Sequence, residues 1–152
     1  MNREIKFRGK SIMNNTCGDW LYSSGIKYGD DVELMYCDEE TSEEWNYIDK
    51  ETLGQYTGLH DKDGQEIYEG DIVEFEDVGE EVYEYKEGFN FNNIAQVIYK
   101  NGIYTLANFG ESDNSYYAAD AKDEEILEEV LRNGNCKKIG NIYDNPELLG
   151  GE

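Results

Sequence analysis

Apolar and charged residues alternate at the start of the chain. In Glu4-Ile5-Lys6-Phe7-Arg8, Ile5 and Phe7 fall on one face and the charges on the other, which predicts a half-buried strand with solvated charges. After a polar turn around Asn14, Asn15 and Gly18, Asp19-Trp20-Leu21-Tyr22 reads as a second short strand. Two more are expected at Met35 to Cys37 and Trp45 to Ile48, separated by a solvated acidic loop, DEETSEE, at 38–44. Residues 49–56 read as a connection with a helical turn at Thr52-Leu53.

The second half is more sharply punctuated. Asp63-Gly64 predicts a reversal, and Ile67-Tyr68 and Ile72 to Phe75 flank a tight turn or bulge at Glu69-Gly70-Asp71, where glycine supplies positive φ. Residues 77–93 are acidic, then rich in Gly and Asn, and enclose Val82, Tyr83 and Tyr85; they read as a long hairpin or loop. Ile94 to Lys100 and Ile103 to Ala107 bracket Asn101-Gly102, the strongest short-range hairpin signal a sequence carries. Ala121 to Arg132 predicts a helix with Ile126, Leu127, Val130 and Leu131 on one side, Asp120 as cap, acidic residues at its positive end and Gly134 as its stop. A closing strand at Lys138 to Tyr143 and a final helical turn at Asn145-Pro146-Glu147 complete the pattern.

The fold expected from this pattern is mainly β, a β-rich α+β chain with a small barrel-like or rolled antiparallel sheet and one short helix near 121–132. Residues 1–60 would supply N-terminal strands and a connection packing on a core built from 61–152, the two forming one compact unit. The 152 residues, 38% apolar with 13 Tyr, 5 Phe and 2 Trp, suit one domain with an aromatic-rich core. No apolar run approaches the roughly 20 residues that span a bilayer, and MNREIKFRGK lacks the apolar region of a secretory signal. A cytoplasmic protein without membrane contact is therefore expected. Cys17, Cys37 and Cys136 are widely spaced without CxxC pairing, which indicates neither a disulfide framework nor a zinc site.

Net charge changes the list of partners. At −22 the body of the fold repels a phosphate backbone, so no direct nucleic-acid binding is expected. Arg3, Lys6, Arg8 and Lys10 stand against Glu4 alone in the first ten residues, a local +3 that lets an N-terminal strand dock on an acidic surface.

The stretch GQYTGLHDKDGQEIYEGDIVEF, residues 54–75, looks most like a site, and each chemistry fails there in turn. A calcium loop with Gly64 at its sixth position has Leu59 at the first and Gly70 at the twelfth; started at Asp61, it has Glu66 where glycine belongs. The glycines form neither GxGxxG nor GxxxxGK[ST]. His60 is the one histidine and the best candidate for a general base, yet no serine lies in GxSxG and no cysteine has catalytic context. No catalytic residue, metal ligand or cofactor is assigned. Exposed tyrosines could stack on bases or peptides, but most lie in strand-like runs and read as core.

Four blocks carry a family resemblance: REIKFRGK (3–10), GDWLY (18–22), TLGQYTGLHDKDGQEIYEGDIV (52–73) and IGNIYDNPELL (139–149). In this order they resemble the YopX-like proteins of bacteriophages and prophages; residues 78–135 carry no matching motif. The resemblance implies a mostly β protein with a barrel-like core, scope for self-association and a phage or prophage origin. It implies no known activity and carries over no catalytic residue.

The expected function is thus a non-catalytic binding or assembly module in the host bacterial cytoplasm, a homo-oligomer joined through the basic N-terminal strand, with a host protein as a further partner. Arg3, Lys6, Arg8, Tyr56, Asp61 and Asp71 are its candidate interaction residues. Two alternatives stand beside it: an acidic decoy that imitates DNA before a host nucleic-acid-binding protein, and a small enzyme of unknown class.

Overall fold

The computed structural model describes residues 4–14, 16–37, 43–76, 92–108, 125–132 and 136–149. The chain divides into two units, Met1–Gly58 and Leu59–Glu152.

In the first unit, β1 (Phe7–Lys10) pairs antiparallel with β2 (Trp20–Ser23) on one side and with β6 (Gly54–His60) on the other. A separate three-stranded sheet runs β3-β4-β5, from β3 (Ile26–Tyr28), β4 (Val32–Cys37) and β5 (Glu43–Ile48). Val32, Leu34 and Ile48 are its buried centre, and Phe7, Leu21, Ile26 and Leu53 pack against them. Gly9 lies so close to Ile48 that a Cβ there would overlap the Ile48 side chain. A 3-10 turn at Lys50–Thr52, capped by Asp49 whose carboxylate accepts the Glu51 N–H at 3.1 Å, occupies the expected helical turn.

β6 passes through the boundary at Gly58, and β7 (Glu66–Tyr68) follows it in sheet order. The second unit is built on a five-stranded antiparallel sheet. Its members are β8 (Asp71–Glu76), β9 (Asn92–Lys100), β10 (Ile103–Ala107), β11 (Glu125–Ile126) and β12 (Cys136–Asn141), in the order β11-β10-β9-β8-β12. Alternate positions face inward: Val73, Phe75, Ala95, Val97 and Leu106 join Ile67, Leu127, Val130 and Cys136 in one core. The expected hairpin closes at Asn101-Gly102, where φ is +54° and +84°, the paired left-handed residues that match strand twist. The fold is mainly β, as the alternation indicates, in three antiparallel sheets with no closed barrel among the described residues.

Three local expectations change. The first strand runs Phe7–Lys10, and one of the charges expected to be solvated is not: Ile5 is 53% exposed while Arg8 is 1% exposed, its guanidinium 4.5 Å from the centroid of the Trp20 ring. Stacking on an indole face replaces water around a delocalised cation, a compensation that alternation alone cannot display. Gly54–His60 is a strand where a connection was expected to reach Tyr56, and β3 was not anticipated. The helix, α1, is only Leu127–Arg132. Ile126 belongs to β11 opposite Thr105, so the sheet edge captures the backbone that the helical period claimed. The expected helix start at 121–124, Asp120, Gly134, most of DEETSEE and most of 77–93 lie outside the described residues.

The shortened helix sets a test. Leu127→Ala, in the core, is expected to cost about 2–5 kcal/mol in urea unfolding. Ile126→Ala, 37% exposed on the two-residue strand, should cost under about 1 kcal/mol. Equal losses would restore a helix with both residues on its buried face.

Candidate functional site

Residues 54–75 fold into two turns, and each is organised by one aspartate. Asp61 reverses the chain ahead of β7. Its Oδ1 accepts the N–H of Asp63 at 2.8 Å and of Gln65 at 2.9 Å, while its own N–H donates to the Gln65 carbonyl. A short carboxylate that satisfies turn amides in this way fixes the turn locally. The other oxygen acts at long range: Oδ2 accepts the N–H of Lys138 at 2.9 Å. Beside it, the Lys62 N–H donates to the Cys136 carbonyl at 3.1 Å, so this turn is stitched to β12 at two points.

Asp71 organises the second turn. It is 0% exposed, and its Oδ2 accepts the Tyr68 N–H at 2.7 Å. Gly70 sits between at φ +91°, the expected left-handed bend; its N–H donates to the Val97 carbonyl and its own carbonyl accepts the Ile142 N–H, both at 2.9 Å. Lys138 Nζ lies 3.4 Å from Asp71 Oδ2 and donates to the Glu66 carbonyl at 3.1 Å. Asp61 and Asp71 are therefore joined through one residue, Lys138, which gives its backbone N–H to the first and its ammonium to the second.

The electrostatics follow from these partners. Burial by itself raises the Asp61 carboxyl, but hydrogen bonds from Lys138, Gln65 and Asp63 and the nearby Lys138 charge outweigh it and leave the group below its ordinary 3.8. Cys136, in the core, has its thiol pushed up to about 12, first by burial and then by the Asp61 carboxylate. It is a packed neutral thiol, not a nucleophile. His60 is exposed next to Asp61, a carboxylate already engaged with three backbone N–H groups. Among the described residues no group of three or more His, Cys, Asp or Glu could hold a metal ion.

Of the six candidate interaction residues, the structure brings Asp61 and Asp71 together and buries both. Arg8 and Tyr56 are also buried, at 1% and 2% exposure. Lys6 keeps a side chain 22% exposed, 3.4 Å from Glu4 Oε2 and 5.3 Å above the Tyr56 ring centroid. Arg3 lies outside the described residues. Accessible surface in this set thus belongs to Lys6 alone among the described members. Lys138 was not singled out from the sequence, because a lysine in an alternating strand reads as solvated.

A profile of the family described as "YopX protein" matches residues 6–150. No curated protein matches the chain. Among solved structures, the crystal structure of protein EF1440 from Enterococcus faecalis is similar to it, with 20% sequence identity, 97% of this chain and 99% of that chain covered, and a TM-score of 0.48. No helix of the described residues is long and apolar enough to cross a membrane.

Asp61→Asn keeps the side-chain volume but removes the acceptor facing the Lys138 N–H. It is expected to lower unfolding stability by about 1.5–3 kcal/mol at pH 7. Because the folded pKa is depressed, that contribution is complete above the unfolded value of about 4 and is lost as pH falls through the lower folded value. The gap between wild type and variant should therefore close below about pH 4 in acid unfolding series; a constant gap refutes the assignment. A thiol reagent applied to the native protein near pH 8 should modify exposed Cys17 and leave Cys136 unmodified until denaturant is added, as read by peptide mass mapping.

Proposed function

The chain belongs to the YopX family, and from that premise we propose that it is a non-catalytic binding or assembly module that works by self-association in the cytoplasm of a bacterial host. The observation that carries this reading is the use of the family-marking stretch. Its two turn aspartates, Asp61 and Asp71, are buried and engaged with backbone amides and with Lys138, so these two carboxylates hold turns and strands in place. The carboxylate next in sequence to the candidate base, His60, accepts three backbone N–H groups. A host protein is the further partner in this reading, and a phage or prophage origin accords with it.

The distribution of charge favours one second reading, the acidic decoy for a host nucleic-acid-binding protein. From Leu59 to Glu152 there are 23 acidic and seven basic residues, net −16, against 12 and six, net −6, from Met1 to Gly58. A surface of that sign would attract a basic partner with steep salt dependence.

Sedimentation velocity across a concentration series, at about 0.05 and 0.5 M salt, separates the two. The assembly reading expects a concentration-dependent oligomer of the purified chain. Strict monomers up to millimolar concentration, together with salt-sensitive retention of a purified basic DNA-binding protein, would replace it with the decoy.

A further inference from the structure

β12 is the end strand of its sheet, with β8 on one side and no strand on the other among the described residues. An edge strand turns a row of backbone N–H and C=O groups outward, and such a row is a template for another chain. On β12 two short polar side chains occupy that row. At the first place, the Lys62 N–H donates to the Cys136 carbonyl at 3.1 Å, while Asp61 Oδ2 accepts the Lys138 N–H at 2.9 Å. One residue of a parallel neighbour bonds in this way, to the carbonyl of residue i−1 and the N–H of residue i+1. Here a carboxylate oxygen stands in for the neighbour's carbonyl. At the second place, Asn145 Oδ1 accepts the Asn141 N–H at 3.2 Å, and the Asn145 N–H donates to the Asn141 carbonyl at 2.8 Å. An antiparallel partner makes the same exchange, with a carbonyl where the carboxamide oxygen lies.

Both stand-ins are anchored locally. Asp61 is fixed by the turn amides on its Oδ1. Asn141 Oδ1 accepts the N–H groups of Tyr143 and Asp144, both at 2.9 Å, and this turn brings Asn145 back to β12. Gly140 makes the room, because a Cβ there would overlap the Asn145 carboxamide. The same strand carries a bulge between Lys138 and Gly140 and an exposed lysine, Lys137, two further features that discourage pairing at an edge.

We infer that the Asp61 turn and Asn145 together cap the outer edge of β12 and keep the five-stranded sheet from adding a strand of another chain. A strand placed there would expose a new edge in its turn; a side-chain oxygen does not. The cap acts whether or not the chain self-associates through another surface.

The test uses the full-length chain. Asp61→Asn removes the acceptor facing the Lys138 N–H, Asn145→Ala removes the one facing Asn141, and the double variant removes both. By alternation the Lys137 N–H turns to β8 and serves as the internal reference. Relative to it, amide exchange read by NMR should speed up at Lys138 and Asn141 by roughly tenfold or more in the double variant. The folded double variant should then form open-ended, thioflavin-binding aggregates under conditions where the wild type does not. Asn145→Asp keeps an oxygen for the Asn141 N–H and should behave as wild type. Gly140→Ala displaces the carboxamide and should behave as Asn145→Ala. Leu127→Ala lowers stability from the core without touching the edge and is the control. Unchanged exchange at Lys138 and Asn141 overturns the cap, and so does faster exchange without aggregation. Equal aggregation of Leu127→Ala at a matched unfolding midpoint assigns the effect to lost stability and overturns it as well. None of these results bears on the assembly reading, whose oligomer is measured on the wild type.

Discussion

The second unit depends on a single residue-to-residue junction: Lys138 meeting the carboxylates of Asp61 and Asp71. A buried carboxylate is costly unless hydrogen bonds and a counter-charge replace its water. Asp61 has three backbone N–H donors; Asp71 has the Tyr68 N–H and the Lys138 ammonium. Both burials draw on β12, and the two carboxylates add to the Lys62–Cys136 and Gly70–Ile142 backbone bonds that hold this end of the chain against the turns. Cys136, in the core, and the register shift between Lys138 and Gly140 in the β8–β12 pairing lie on either side of the same junction.

This constraint explains how the most site-like part of the sequence uses its two buried aspartates. Aspartate, glycine and a neighbouring histidine are the materials of metal loops and general bases. They are equally the materials of turns that must be both tight and buried. What separates the two uses is where the lone pairs point: those of Asp61 point at three amides, and Oδ2 of Asp71 is shared between an amide and the Lys138 ammonium. Membership of the YopX family gives the chain relatives without giving it a reaction.

The features legible in the sequence were those decided within a few residues. Asn101-Gly102 announces its hairpin because the backbone requirement is local. The strands around Ile67 and Ile72 and the turn at Gly70 are legible for the same reason. Reading failed wherever a distant partner reversed a local preference. Arg8 looks solvated until Trp20 stacks on it. Ile126 looks helical until Thr105 pairs with its backbone. Asp61 is recognisable as a turn residue, but nothing near it signals the third donor, which lies 77 positions away.

That separation of 77 positions has a consequence in time. During synthesis Asp61 and Asp71 leave the ribosome long before Lys138 is made. At the usual pace of about 5–20 residues per second, the later carboxylate waits roughly 3–13 s for its lysine. Through that interval both carboxylates stay hydrated, and the β8–β9–β10 meander has an open flank where β12 will lie. A cell that makes this protein must shelter an unfinished sheet edge until β12 arrives, so the vulnerability of this sheet to aggregation is concentrated in the seconds before β12 is made.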